Sequence, residues 1–363
     1  MRTSLALVLA AVVVAPGADA ASSTTGPLVA ISAKTGALQD FPQVTGSAVY
    51  AIAGDWAGGW FVGGAFSSVG GVACRNLVHV SSNRTVDRSW CPRPDGTVRA
   101  LARVGGALYV GGEGMHHVAG VARSGLAALD IDSGHVLPWN PGATSGILDV
   151  LQLTVDAPRK QLLVTGEFTR LAGKPRFHLG AVGLGTARAT PFDPEPDENA
   201  HGDSVFGTVS ARGAVYAYGF FSRIGGLPRD SFARLDPRTG RALSTVVSPI
   251  CPTALLAVGP QLYAGTDTAC EGAHRPLIAM SFPALGPVPL PPSIPRRHVE
   301  ALAGAPGLVA VAAANDHFSA GEPRVVVVLD AAGRRRFVSP VHPRGPVEAL
   351  ATDGRLILVG LGR

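Results

Sequence analysis

Lysine is almost missing from this 363-residue chain: Lys34, Lys160 and Lys174 are its only copies. The formal charge of +5 therefore rests on scattered arginines, with no run longer than Arg334 to Arg336. Such a distribution makes no basic stripe, and nucleic acid is not expected as a partner. Charged residues make up 16% of the chain, too few for disorder driven by self-repulsion. Aromatic residues are only 6% and no long amphipathic period occurs, which argues against a helical bundle or a coiled coil. After the first twenty residues no segment offers the roughly 20 uninterrupted apolar positions of a membrane-spanning helix. No Cys-x-x-Cys pair is present, and neither is a Walker loop, HExxH, GxSxG or dinucleotide fingerprint.

What the chain does have is Gly 46 and Pro 29, the mark of frequent turns between short strands. Its first twenty residues read differently. Arg2 precedes an apolar run from Leu5 to Ala15 and a small-residue site at Ala18-Asp19-Ala20, the pattern of a secretory signal peptide. Residues 1–20 are thus expected to be removed, leaving residues 21–363 as a single domain, secreted or extracytoplasmic and monomeric. No cysteine is placed to accept a lipid and no sorting tail is seen, so no surface anchor is expected.

An apolar pair followed by glycine recurs along the chain: Phe61-Val62-Gly63-Gly64, Tyr109-Val110-Gly111-Gly112, Leu163-Val164-Thr165-Gly166, Tyr216-Ala217-Tyr218-Gly219 and Tyr263-Ala264-Gly265. Degenerate copies at Val309 to Ala313 and Ile357 to Gly360 bring the count to seven. A period of about 50 residues means a propeller, a solenoid or an array. The second repeat predicts four strands, Val98 to Ala102, Ala107 to Val110, Gly125 to Asp130 and His135 to Trp139, with tight turns at Gly105-Gly106 and Asp132-Ser133-Gly134. Four antiparallel strands per unit make a propeller blade. The last repeat has room for two strands only, while Pro27 to Phe41 matches the third and fourth strands of Leu126 to Trp139. The expected fold is therefore all-β, a seven-bladed β-propeller of four-stranded antiparallel blades, closed by N- and C-terminal strands that share one blade.

The segments Phe61-Val-Gly-Gly-Ala-Phe-Ser-Ser-Val-Gly-Gly71, Gly166-Glu-Phe-Thr-Arg-Leu-Ala-Gly173 and Gly219-Phe-Phe-Ser-Arg-Ile-Gly-Gly226 carry a resemblance. With the Leu-Asp and Thr-Gly turns that follow, they resemble the glycine-rich delta-60 propeller repeats of secreted bacterial proteins, over residues 27–363. Leu126 to Trp139 and Phe232 to Gly240 are also similar to blades of quinoprotein-like propellers. This chain lacks the adjacent cysteines of the quinone dehydrogenases, so the resemblance implies no quinone.

Cys74, Cys91, Cys251 and Cys270 form an even set in a chain read as exported, which favours disulfides. Opposed residues of a hairpin are symmetric about its turn. Cys74 and Cys91 are symmetric about Ser82-Asn83, and Cys251 and Cys270 about Pro260-Gln261, both predicted turns. Those two pairings are expected.

Chemistry is sought where the repeats differ. The second position of each blade's first strand, expected to line an axial channel, reads Tyr50, Arg99, Asp149, Phe206, Ala254, Glu300 and Glu348. Asp149, Glu300 and Glu348 would converge on a hard cation such as calcium, with Tyr50 and Arg99 as ligand-binding neighbours; the plainer reading is a wetted channel. Arg75, Arg123, Arg176, Arg229, Arg275 and Arg324 recur after the glycine marker. They are expected to pair with Asp130, Asp236 and Asp330 at the ends of third strands, the alternative being a ring that recognises anionic glycans. Asp193 to Asp203 is the densest acidic run and reads as a solvated loop.

The strong motifs are structural, and the expected role is that of an exported, non-catalytic propeller that binds or scaffolds a glycan, an envelope component or a protein partner. The competing class is a metal-dependent channel enzyme, a lactonase-like hydrolase or polysaccharide lyase, using Asp149, Glu300 and Glu348 around the metal and Arg99 to stabilise an anion.

Overall fold

The computed structural model describes residues 26–145, 148–197, 205–243, 250–266, 275–290, 298–314, 324–330, 332–341 and 345–362. Residues 1–20 and Cys270 lie outside the described residues. Within them the chain is all-β, with one short 3-10 turn at Ala157–Arg159. No helix among the described residues is long and apolar enough to cross a membrane.

Each repeat opens with an antiparallel hairpin. The hairpins pair Val44–Gly54 with Trp60–Val69, Thr97–Val104 with Ala107–Glu113, Asp149–Asp156 with Gln161–Glu167 and Val205–Ala211 with Ala214–Gly219. Pro252–Val258 pairs with Gln261–Thr266, His298–Ala305 with Leu308–Ala314, and Val347–Thr352 with Leu356–Leu361. A third strand follows on the outer side, as Leu126–Asp130 does on Ala107–Glu113. For the last hairpin that strand comes from the other end of the chain. Leu28–Ser32 pairs with Leu356–Leu361 from Leu28 opposite Gly360 to Ser32 opposite Leu356, and Leu38–Gln39 adds the outer edge.

The fourth strand is shorter than the sequence predicts. Arg335–Val341, Gly286–Val288 and the short Leu38–Gln39 are outer strands, but in the other four sheets only isolated bridges survive, such as Leu129 with Val136 and Val182 with Ala189. The reason is visible at Trp139. Its ring turns off the sheet edge to meet Tyr109 edge-on at 4.9 Å, and its Nε1 donates to the Gly183 carbonyl of the next sheet at 3.0 Å. Burying an indole of this size between sheets outweighs one more ladder bond at a solvent-facing edge.

The core is divided into layers between neighbouring sheets. Tyr109, Leu126 and Trp139 of one sheet meet Leu153, Leu162 and Val164 of the next. Leu28 and Ala30 of the N-terminal strand meet Val49, Trp60 and Val62 in the same manner. The alternation of small and large apolar residues along each strand serves these layers, because every sheet buries both faces.

The recurrent Gly-Gly and Ala-Gly pairs form two-residue turns. Gly70 and Gly71 have φ of 55° and 74°, and Ala172 and Gly173 have 48° and 74°. Type I′ turns need positive φ at both central positions, which accounts for these repeated residues without invoking a ligand. Cys74 and Cys91 are disulfide-bonded, with Cα atoms 5.5 Å apart, as their symmetry about the turn predicts. Cys251 is a disulfide cysteine as well, while its expected partner Cys270 falls outside the described residues.

Candidate functional site

Each first strand carries a β-bulge, and the bulged residue is turned out of the ladder. In the first sheet the pairing jumps from Val49 opposite Gly64 to Ala51 opposite Gly63, leaving Tyr50 unpaired. The equivalent jumps leave Arg99, Leu151, Phe206, Thr253, Glu300 and Glu348. These bulged residues line one axial cavity of about 360 Å³. Bulges re-aim side chains in this way at the rims of sheets and at sites. The glycine markers make them possible: a Cβ on Gly64, Gly112 or Gly166 would run into the carbonyl oxygen of Ala48, Thr97 or Asp149.

That geometry corrects two of the expected channel positions. Asp149 matches Ala48 and Thr97, two residues before the bulge, and Leu151 takes the ring position in its sheet. Ala254 follows the bulge of its own sheet, where Thr253 takes the place. Asp149 is paired with Glu167 and Ala254 with Gly265, so neither is the unpaired residue that its sheet's bulge turns to the axis.

The three carboxylates proposed for a cation consequently do not gather. Among the described residues no group of three His, Cys, Asp or Glu side chains is placed to hold a metal ion. Glu300 is buried and accepts from Arg324 Nε at 3.1 Å and from the Val347 backbone N–H of the next sheet at 2.9 Å. Asp149 lies 3.5 Å from Arg99 Nε. Burial pushes the Asp149 carboxyl up to about 6, with Arg99 pulling it down and Glu113 and Glu167 adding to the rise. One of its oxygens, Oδ1, is buried without a hydrogen bond.

Arg99 donates to Glu113 through Nη2 at 2.6 Å, and its guanidinium lies 4.3 Å from the centroid of the Tyr50 ring. Burial raises the Tyr50 phenol above its ordinary value; Arg99 opposes this and Glu348 reinforces it. The phenol and the guanidinium thus enter the cavity as a neutral donor and a paired cation. Thr253 Oγ1 donates to the Val299 carbonyl at 2.6 Å, a second tie from the ring to the neighbouring strand. Ile52, Leu101, Leu153, Leu255, Leu302 and Leu350 also line the cavity, although most of the surface it exposes is polar. At the mouth Phe206 meets Phe220 edge-on at 4.9 Å, and Phe220 is 54% exposed.

The recurrent arginines are also placed differently from expectation. Arg123 Nη2 donates to the Leu137 carbonyl at 2.7 Å and Arg229 Nη2 to that of Leu243 at 3.0 Å, in each case holding the start of the fourth-strand segment. Arg176 reaches Thr190 and Phe192 carbonyls and the Asp193 carboxylate. The aspartates meant as their partners bind their own turns. Asp130 accepts from Ser133 N–H, Asp236 from Thr239 N–H and Asp330 from Arg334 N–H. These carboxylates serve the local turn first, because a donating backbone N–H lies only three or four residues away.

No family model and no curated protein sequence matches the chain. Among solved structures it is similar to BamB from Moraxella catarrhalis, with a TM-score of 0.51 at 16% identity over 94% of this chain and 92% of that one. A chain of the Mitotic Checkpoint Complex gives a TM-score of 0.54 at 12% identity, covering 100% of this chain and 99% of that one. At such identities the likeness speaks to fold alone. The chain is a β-propeller.

Proposed function

We propose that residues 21–363 form one closed propeller of seven blades, exported after removal of residues 1–20, which acts by binding a protein partner at the mouth of its axial channel. The blade count and closure are supported by contacts between first strands in chain order, with Val347–Thr352 lying against Val44–Gly54. The N-terminal strand in the last sheet supports them too. Export is supported by the leader pattern of Arg2 to Ala20 and by the disulfides.

The observation that carries the binding reading is the bulge ring. The glycine markers, the two-residue turns and the recurrent arginines answer to needs that the blades share, whereas this position changes from blade to blade. Two of its ionised groups are engaged by named partners within the protein: Arg99 by Glu113 and Asp149, Glu300 by Arg324 and Val347. A general acid or a metal ligand needs a group available to the substrate. What the mouth offers instead is a mostly polar cavity, with Tyr50, Arg99 and Gln152 on its wall, beside the exposed aromatic edge of Phe206 and Phe220. A protein segment that lays one apolar side chain against that edge while bonding to Tyr50 matches that surface. BamB and the checkpoint chain lend the fold; the mode of binding is argued from the ring.

The test is selection of displayed peptides on the purified mature protein, followed by affinity measurement on the parent and on a Phe206→Ser/Phe220→Ser variant. Selected peptides should bind the parent and lose at least about tenfold on the variant. Equal affinity for both, or lactone or polyuronate turnover abolished by Glu348→Gln, would refute the reading.

A further inference from the structure

In an antiparallel four-strand unit the first and third turns lie at the same end, opposite the channel mouth. Hydrogen bonds confirm the juxtaposition: Leu184 N–H donates to the Lys160 carbonyl and Ala33 N–H to the Arg355 carbonyl, each joining an outer turn to an inner one. This end carries Lys160, Arg212 and Arg355 on inner turns and Lys34, Arg188 and Arg238 on outer turns, all exposed. Arg212 gives one N–H to the Gly259 carbonyl.

The acids of the same end are mostly turned inward. Asp130, Asp236 and Asp330 cap their own turns, Asp353 accepts from Arg355 N–H at 2.8 Å, and Asp156 is fully buried against Gln161 and Ser210. Asp132 is not held in this way. Cations therefore project to solvent where carboxylates fold back onto backbone donors, so a chain whose arginines look scattered in sequence has a basic end.

Trp56 stands on this end, 75% exposed, with φ of 62°. A bulky residue in the left-handed region is uncommon and is held there by its surroundings. Asp55 Oδ1 accepts from Ala57 and Gly59 N–H groups at 2.7 Å, and its other oxygen bonds His79 at 3.0 Å, which fixes the loop. The Arg103 guanidinium lies 3.8 Å from the Trp56 ring centroid, and its buried Nε and Nη1 have no hydrogen-bond partner. One face of the indole is thus clamped by a cation, leaving the other exposed and flat.

We propose that this end of the propeller is a docking surface for an acidic polysaccharide, separate from the channel mouth. A sugar ring stacks on the open face of Trp56, and carboxylates along the polymer meet the lysine and arginine turns. The preformed indole lowers the ordering cost of stacking, and charges spread around a rim suit a flexible polymer with regularly spaced anions.

The experiment measures binding of the mature protein to polygalacturonate, with neutral dextran, single-stranded DNA and phosphatidylglycerol vesicles as comparators. Polygalacturonate should bind with an affinity that falls as salt rises, and dextran should not bind. A Lys34→Glu/Arg188→Glu/Arg355→Glu variant should melt like the parent and bind at least about tenfold more weakly. Trp56→Ala should weaken polygalacturonate binding while preserving the salt dependence. Equal or tighter binding of DNA or vesicles, or unchanged affinity in the charge-reversed or the Trp56 variant, overturns the proposal. The Phe206→Ser/Phe220→Ser variant should bind polygalacturonate like the parent, which keeps the two ends separately testable.

Discussion

Replacing Glu300 with alanine separates a structural carboxylate from a free one. Its side chain and that of Arg324 are only 4% and 3% exposed, and the pair meets at 3.1 Å. Removing the acid leaves a buried guanidinium without its carboxylate, a change that costs about 3–5 kcal/mol. The Val347 N–H also loses its acceptor, and with it the tie between neighbouring sheets. At about 2 cal/mol/K of unfolding entropy per residue, a loss of this size lowers Tm by roughly 5 °C in a domain this long. Arg324→Met alone strands the carboxylate and should destabilise comparably. The double variant removes both charges and should recover more than half of the loss, since a buried pair exchanged for apolar groups is often close to neutral. Thermal and urea unfolding of the four proteins complete the cycle. If Glu300→Ala melts with the parent, or if the two single losses simply add, the ring carboxylate is not held as described, and its structural role fails.

Asp149 makes a pH prediction. Its folded pKa of about 6 stands above the ordinary value of 3.8, so the fold holds this proton more tightly than the unfolded chain does. Stability from this group should fall as pH rises from 4 to 6 and stay low above that, and Asp149→Asn should gain up to about 3 kcal/mol at pH 7 and nothing at pH 4. Urea midpoints across that range check the sign; a variant less stable than the parent at pH 7 would contradict it. Non-reducing peptide maps should show Cys74 linked to Cys91 and Cys251 to Cys270, and reduction should cost about 3 kcal/mol per bridge by the loop-closure estimate. Deleting Thr25 to Phe41 should expose the edge of Leu356–Leu361 and yield a protein that associates or melts well below the parent; a monomer that melts normally would speak for an open array. Exported material should begin at Ala21, which N-terminal sequencing reads directly.

The features legible in sequence were those that the repeat enforces on every sheet. Glycine at positions 64, 112 and 166 is demanded by a carbonyl in the facing strand, so the marker and the hairpins could be read from residue type alone. The Cys74–Cys91 pairing followed from symmetry about one short turn. The channel positions were harder, because a bulge shifts the side-chain period by one and leaves no mark in residue type. Tyr50, Arg99, Phe206, Glu300 and Glu348 survived that arithmetic; Asp149 and Ala254 did not. Aligning the glycine clash in each hairpin, instead of counting from the strand start, would have found Leu151. The partners of the recurrent arginines were illegible for a different reason. Backbone carbonyls carry no signature in sequence, and a visible aspartate was the more obvious acceptor. Trp56 gave no periodic signal at all, since its exposure comes from one loop held by Asp55.

The sheet that joins both ends of the chain also sets an order of events in time. Leu28–Ser32 is made more than 300 residues before its partner, Leu356–Leu361; Ser339 Oγ likewise reaches the Gly36 carbonyl across 303 positions. The opening strand of a newly synthesised chain therefore waits, with Leu28, Val29 and Ile31 uncovered, until almost everything else has emerged. Contacts this distant close slowly, and the partly made protein is at its most adhesive throughout that wait. A polypeptide delivered across a membrane in extended form passes through this phase on the far side. Any molecule whose synthesis stops early keeps an apolar strand on display, a ready signal for proteolysis.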